Sequence, residues 1–304
     1  MKSFYISCFL IATFFVKAQT ETDAIMMDKN NICIGPMYQN SNWTNYWEGT
    51  QKRENLNIGK ITTNSYNLMG NYGIKNNLNL IFNASYVATK ASAGTLMGQK
   101  GFQDFSMFLK YMPIEKVVGK SIYSLYGIIG FSIPMTNYPA DYLPLSIGLQ
   151  SKTTTFRLMG DYQRGNFFTT ISGAYIFRSN ITIDRNAYYT TDYHYTNQVF
   201  MPNQVATHVK MGYRSSRLIA ETNFESLQTL AGGFDISSNN MPFPSNTMNF
   251  SKIGVYAKYN FTENNLISII AGYNQVIGGR NIGQSSNINL GLFCVLDLKK
   301  NKKS

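Results

Sequence analysis

The sequence predicts an all-β chain, a transmembrane antiparallel β-barrel of about 12 strands. Three observations predict it. Apolar and polar residues alternate with period two in run after run, the pattern of a strand whose two faces meet different surroundings. Short polar turns alternate with long loops along the whole chain, the asymmetry of outer-membrane barrels. Charged residues make up only 14% of the 304 residues, against roughly 25% in soluble domains. Aromatics also reach 14%, and mean hydropathy is −0.19, so the chain is no bundle of transmembrane helices.

The chain opens as an export signal. Lys2 gives a positive start, and residues 4–16 form an apolar run of 13 residues, too short to span a bilayer. Val16-Lys17-Ala18 before Gln19 fits a small-residue cleavage site. Removal of residues 1–18 takes Lys2 and Lys17 and no acid, so the net charge falls from +11 to +9. Residues 19–30 read as a short periplasmic leader, too short for a large folded plug, which leaves any gating to loops. Residues 31–298 read as the barrel, and 299–304 as a basic, solvated tail carrying Lys299, Lys300, Lys302 and Lys303.

The clearest element is the hairpin at residues 65–87, SYNLMGNYGIKNNLNLIFNASYV. Tyr66, Leu68, Gly70, Tyr72 and Ile74 share one face on the way in, and Leu78, Leu80, Phe82, Ala84 and Tyr86 share it on the way out. Aligning both sets sets Ile74 opposite Leu78 and Tyr72 opposite Leu80 across a polar turn. A modest strand at 31–40 precedes this hairpin, with a polar loop at 41–60 carrying Trp43, Tyr46 and Trp47. A small, polar loop at 89–101 follows it. Strands are next expected at 102–112 and 121–133, joined by residues 113–120. The loop at 134–151 leads to strands at 153–162 and 167–177, with Tyr162 facing Phe167. After the longest loop, 178–203, come strands at 204–214 and 217–228. A two-residue turn at Ser215-Ser216 would set Lys210 directly across from Glu221. A loop at 229–247, strands at 248–261 and 265–276 around a turn at 262–264, a loop at 277–285 and a strand at 286–298 complete the chain.

Two further patterns agree. Aromatics gather beside the short turns, among them Tyr72, Tyr111, Tyr123, Tyr162, Phe167, Tyr213, Tyr259 and Phe261. Tyr favours a membrane interface, where its ring is apolar and its hydroxyl stays wet. The apolar stripes of the clear strands carry no charge, and a Lys or Arg facing lipid at mid-depth would cost about 2–4 kcal/mol. Charges fall on the opposite stripe, at Asp104, Lys110, Arg157, Asp161, His208, Lys210, Arg214, Glu221 and Lys258, which are therefore expected to line a lumen. Closure of the barrel sets the first and last strands side by side. Cys33 should then face the lumen and Cys294 lipid, leaving both as free thiols.

Three stretches carry a family resemblance. Gly101-Phe102-Gln103-Asp104-Phe105-Ser106, followed by Leu109-Lys110-Tyr111, resembles the glycine–aspartate strand of the phenol-degradation MetA-like outer-membrane transporters. Residues 127–134, GIIGFSIP, resemble that family's next strand, and Gly278-Gly279-Arg280-Asn281 is similar to its C-terminal Gly-Arg-Asn stretch. The likeness runs from about residue 32 to 298. It implies a barrel that passes small, apolar or aromatic, molecules. The chain departs from many outer-membrane barrels in ending Lys-Lys-Asn-Lys-Lys-Ser rather than on an aromatic residue.

Reactive chemistry is sparse. His194 lies in the Tyr-rich loop and His208 on the lumen stripe, and a lipase-type pair would need a serine brought to His208 by folding. Two histidines and two mature cysteines make a zinc or copper site improbable. Asp184 and Asp192 read as solvated loop carboxylates rather than calcium ligands. The Gly278–Gly283 run lacks the Lys-Ser/Thr and helix of a phosphate loop. No cofactor, no metal and no enzymatic activity are expected. The expected partners are membrane lipid and a small-molecule permeant, with no nucleic acid, since an exported strand-rich chain offers no basic helix. The expectation is an outer-membrane channel for passive passage of small molecules. The alternatives are a barrel enzyme acting on lipid and a non-conducting surface-binding barrel.

Overall fold

The computed structural model describes residues 20–236, 241–261 and 266–298. The export signal, the turn at 262–264 and the basic tail lie outside the described residues. Twelve antiparallel strands close into one barrel. They are β1 (Asn31–Trp43), β2 (Ile61–Lys75), β3 (Leu78–Ala91), β4 (Lys100–Val118), β5 (Ser121–Pro134) and β6 (Thr153–Arg164). The second half comprises β7 (Phe167–Arg178), β8 (Gln204–Arg214), β9 (Leu218–Thr229), β10 (Asn249–Asn260), β11 (Ile267–Arg280) and β12 (Ser286–Asp297). Each strand pairs with its sequence neighbours, and β1 pairs with both β2 and β12 to close the ring.

The period-two pattern decides which face meets lipid. Leu68, Leu109, Phe131, Leu158, Ile171, Val255 and Leu292 point outward and stay exposed, while the alternating Lys110 and Lys258 point inward and are buried. Beside the short turns, the outward Tyr111, Tyr123, Phe167, Tyr213, Tyr259 and Phe261 form the expected aromatic girdle. Tyr123 packs on Tyr162 with ring centroids 5.2 Å apart, and Asn166 Nδ2 donates to the Tyr213 hydroxyl at 3.0 Å.

Faces follow the sequence reading; several registers do not. Tyr72 is opposite Leu80, but a bulge at Ile74 brings Lys75 opposite Leu78 and shortens the turn to Asn76-Asn77. Arg164, not Tyr162, faces Phe167, because the turn is Gly165-Asn166 with Gly165 at φ 59°, a left-handed position that suits glycine. In the β8–β9 hairpin the Ser215 N–H donates to Leu218 O at 2.8 Å, so Ser216-Arg217 form the turn and Lys210 is opposite Asn223. These last two shifts are of two residues, which leaves every side chain on its own face. Residues 113–118 continue β4 past a bulge between Tyr111 and Ile114 instead of forming a connection.

The other end of the barrel carries the long connections. Residues 45–48 and 51–54 form a small hairpin within the first, and two short ladders, at 181–182/198–199 and 188–189/193–194, stiffen the loop at 179–203. Strand β11 runs on to Arg280, so the last connection is only residues 281–285. Ala140, Ile181, Ile183, Tyr188, Val199, Met201 and Phe243 bring three of the long loops together in one buried cluster.

Cys33 packs inside with Met27, while Cys294 lies on the outward face of β12, where Ile34 is its cross-strand partner. Both are free thiols.

Candidate functional site

The leader organises the interior. Residues 20–30, read from the sequence as a short leader, too short for a large folded plug, cross the barrel at the short-turn end. The path begins at β1, where the Asn30 N–H donates to Gly73 O at 2.7 Å and the Lys29 N–H to Asn76 Oδ1 at 3.0 Å. Gly73 permits this: a Cβ there would stand 2.0 Å from Asp28 O. Met27 then packs on Cys33, Ile270, Phe293 and Val295, Ile25 on Phe168 and Ile219, and Ala24 on Tyr126, Ile128 and Met159. Burying Ile25 and Met27 contributes about 1.5–3 kcal/mol each. A plug needs no fold of its own when the wall supplies its core, which is why length alone misled.

Polar groups of the wall satisfy the leader backbone. Lys110 Nζ donates to Ile25 O at 2.9 Å and also to Asp23 O, and the Tyr126 hydroxyl donates to Ala24 O at 3.1 Å. Lys210 Nζ is ion-paired with Asp23 and lies 3.3 Å from Glu221 Oε1. Burial opposes ionisation of Asp23, but the charge and hydrogen bond of Lys210, with Lys110 adding, hold its carboxyl down to about 2. Nearby, Arg214 Nη1 pairs with Asp161 Oδ2 at 3.0 Å and its guanidinium lies 3.9 Å from the centre of the Phe168 ring. The space left among Asp23, Ile25, Phe168, Lys210, Arg214 and Ile219 is about 10 Å³, room for about one water.

Thr20 to Asp23 form the floor of a cavity of about 470 Å³ inside the barrel. Of the nine charged or titratable residues expected to line a lumen, His208, Lys210 and Glu221 line this cavity. Lys110, Asp161, Arg214 and Lys258 are buried around the leader, and Arg157 is buried with its Nη1 donating to Ser172 Oγ at 3.0 Å. Asp104 lies toward the long loops and accepts the Tyr138 hydroxyl at 2.8 Å. The sequence reading did not single out Glu21, Glu225 and Lys252, nor a set of amides, which also line the cavity. Their signal was present in the same alternation, since each sits on its strand's polar stripe or at the leader tip.

Folding also brings a serine beside His208. Ser172 of β7 and Glu225 of β9 are its two direct cross-strand neighbours. Ser172 Oγ is engaged by Arg157, and Glu225 pairs with Lys252 at 2.6 Å.

At the opposite end, the Gly-Arg-Asn stretch ties loops together. Arg280 makes a two-pronged pair with Asp235, at 2.7 Å on each prong. These contacts and the Asn281 amide hold the Asp235 carboxyl below its usual range. Asn281, at φ 54°, accepts from the Gly49 N–H at 2.8 Å and the Ile236 N–H at 3.0 Å, and donates to Asp235 and to Thr247 O.

No protein-family model and no curated protein matches the chain. Among solved structures, the COG4313 outer membrane channel from Pseudomonas putida F1 is similar over 92% of this chain and 100% of that chain, with a TM-score of 0.72 and 14% identity. The translocator domain of the autotransporter NalP from Neisseria meningitidis aligns over 87% of this chain and 88% of its own, at a TM-score of 0.45 and 11% identity. At such identity the first likeness is one of fold, and it agrees with the outward apolar belt and the girdle. The chain folds as a closed β-barrel of twelve strands with an apolar outer belt, the fold of that channel.

Proposed function

We propose that this barrel is a channel for small molecules whose short-turn end is closed by its own leader. The observation that carries the reading is the polar cavity of about 470 Å³ enclosed by a lipid-facing wall and floored by residues 20–23. The similarity in fold to a COG4313 outer membrane channel supports the same reading, as do the short motifs that resemble the MetA-like transporters. The lining sets amides and charged groups beside Met37, Met69, Phe108 and Tyr256, so a purely apolar permeant would leave those amides without hydrogen-bond partners.

Conduction requires the leader to withdraw or shift. The test compares the full mature chain with a variant lacking residues 20–29, in planar bilayers and in liposome swelling. The deletion should raise ion conductance and speed the entry of small neutral solutes. A deletion variant that folds, is heat-modifiable and passes neither ions nor solutes would end the channel reading.

A barrel hydrolase is the second reading, and one observation favours it: the row Ser172–His208–Glu225 across three strands. Against it, Ser172 is buried beneath Arg157, and the carboxylate of Glu225 is paired with Lys252. Release of fatty acid from phospholipid, abolished by Ser172→Ala, would establish it.

A further inference from the structure

Both lysines of the central cavity are held by its own carboxylates, while much of its amide chemistry is unpaired. Lys210 is shared by Asp23 and Glu221, and Lys252 pairs with Glu225. The amides form a belt around the wall. Asn223 of β9 is opposite Gly254 of β10, which is opposite Asn274 of β11. Asn289 of β12 is opposite Gln39 of β1, and Asn83 of β3 completes the arc beside Ser106 of β4. Gly254 makes the row compact: a Cβ there would stand 2.7 Å from the Asn274 Cβ and 3.0 Å from Asn223 Oδ1. Among the described residues, the side chains of Gln39, Asn223 and Asn289 make no hydrogen bond within the protein, and Asn83 Oδ1 is enclosed without a partner.

We propose that this belt is a binding site for a neutral polyhydroxylated solute of mono- to disaccharide size. An amide offers a donor and an acceptor side by side, and a hydroxyl needs both. An anionic solute would meet Glu21, Glu221 and Glu225, and a cationic one would lie against Lys210 and Lys252, which already occupy Asp23, Glu221 and Glu225. An apolar solute would strip water from the amides and return no hydrogen bond. The wall also provides apolar surface for the C–H face of a sugar ring, from Phe108 and Tyr256. The Phe108 ring comes close to Gly130, where a Cβ would stand 2.3 Å from a ring carbon. The volume of about 470 Å³ falls within the about 300–1,000 Å³ of small-molecule sites.

For the solute's passage the proposal rests on the channel reading, but its binding is measurable without conduction. The experiment is calorimetric titration of the full mature chain in detergent with glucose and maltose, set against gluconate, glucosamine and benzyl alcohol. Glucose or maltose should bind roughly tenfold or more tighter than the three others, the loss expected when amide partners are left unmatched. Asn223→Leu with Asn289→Leu should weaken saccharide binding roughly tenfold or more. Gln39→Glu, which keeps the volume and adds a charge, guards against a folding defect in that pair and should weaken it likewise. Heat-modifiability on gels establishes that each variant is folded. Absence of saccharide binding in the folded wild type, equal binding by the folded variants, or tighter binding of benzyl alcohol would overturn the proposal. Saccharide binding in a barrel that never conducts would sink the channel reading alone.

Discussion

Lys210 on β8 and Glu221 on β9 meet on the diagonal, Nζ to Oε1 3.3 Å, with their backbones two positions out of register. The same ammonium holds Asp23 of the leader. This cation joins the wall to the plug through a side-chain pair, beside the backbone contacts of Lys110, and its loss strands two buried carboxylates near each other. Lys210→Met should weaken leader docking by about 3–5 kcal/mol, the cost of breaking a buried pair from one side. Limited proteolysis should then cut within residues 20–29 of a barrel that is otherwise intact. Glu221→Gln should do far less, because Asp23 still neutralises Lys210. The cation/anion ratio from reversal potentials should shift toward anions only when Asp23→Asn is added. A shift with Glu221→Gln alone would mean that Asp23 does not screen Lys210.

Gly73 is the doorway of the leader. Any side chain there must displace Asp28 O, 2.0 Å from the ideal Cβ. Gly73→Ala should loosen the leader without unfolding the barrel, since Ala lies comfortably in a strand. The expected phenotype matches that of the 20–29 deletion, with higher bilayer conductance and unchanged heat-modifiability. Wild-type conductance in a folded Gly73→Ala barrel would show that the leader's exit point does not control closure.

The Asp23 latch sets a pH window. Its carboxyl titrates near 2 in the folded barrel, below the ordinary 3.8. A depressed carboxyl pKa contributes stability that is complete above the ordinary value and is lost as pH falls through the folded one. The protection of leader amides, taken relative to the intrinsic exchange rate at each pH, should therefore be equal at pH 7 and pH 5 and should fall below about pH 3. Loss of protection between pH 7 and pH 5 would assign the latch to another group.

The wall was legible because alternation is local. Tyr66, Leu68 and Leu80 needed no knowledge of their partners to be placed on the lipid face, and the two-residue slips in the β6–β7 and β8–β9 hairpins likewise left every face in place. Registers were harder, because the choice between Ser215-Ser216 and Ser216-Arg217 as a turn rests on backbone hydrogen bonds such as Ser215 N–H to Leu218 O. The site was the least legible. Whether Lys110 lines open water or caps Ile25 O depends on where a short leader goes, and the stretch Asp23-Ala24-Ile25-Met26-Met27 carries no period that names its partners. Its small and apolar residues between two acids were the available hint. Asn223 and Asn289 were visible as polar-stripe residues, yet only closure of the barrel brings them to one cavity.

Asn281 gives three of the long loops their common anchor. Its amide joins the first long connection at Gly49, the fifth at Asp235, Ile236 and Thr247, and its own. Its backbone sits at φ 54°, so the informative change is Asn281→Gly, which keeps that conformation and deletes only the side chain. Two backbone N–H groups, those of Gly49 and of the buried Ile236, then lose their acceptor, at about 1–3 kcal/mol for each that stays buried. Arg280 still holds Asp235 from the strand end, which confines the damage to the loops. Whole cells carrying Asn281→Gly should show faster surface proteolysis within residues 230–248, while the barrel keeps its heat-modifiability and the leader its protection. Asn281→Asp separates the two halves of the role: it keeps the acceptor for both N–H groups but sets a second carboxylate against Asp235. If Asn281→Asp is cut as fast as Asn281→Gly, the bond to Asp235 dominates; if it is cut at the wild-type rate, the bonds to Gly49 and Ile236 do. Wild-type proteolysis in the glycine variant would show that Arg280 and the buried loop cluster hold the connections without Asn281.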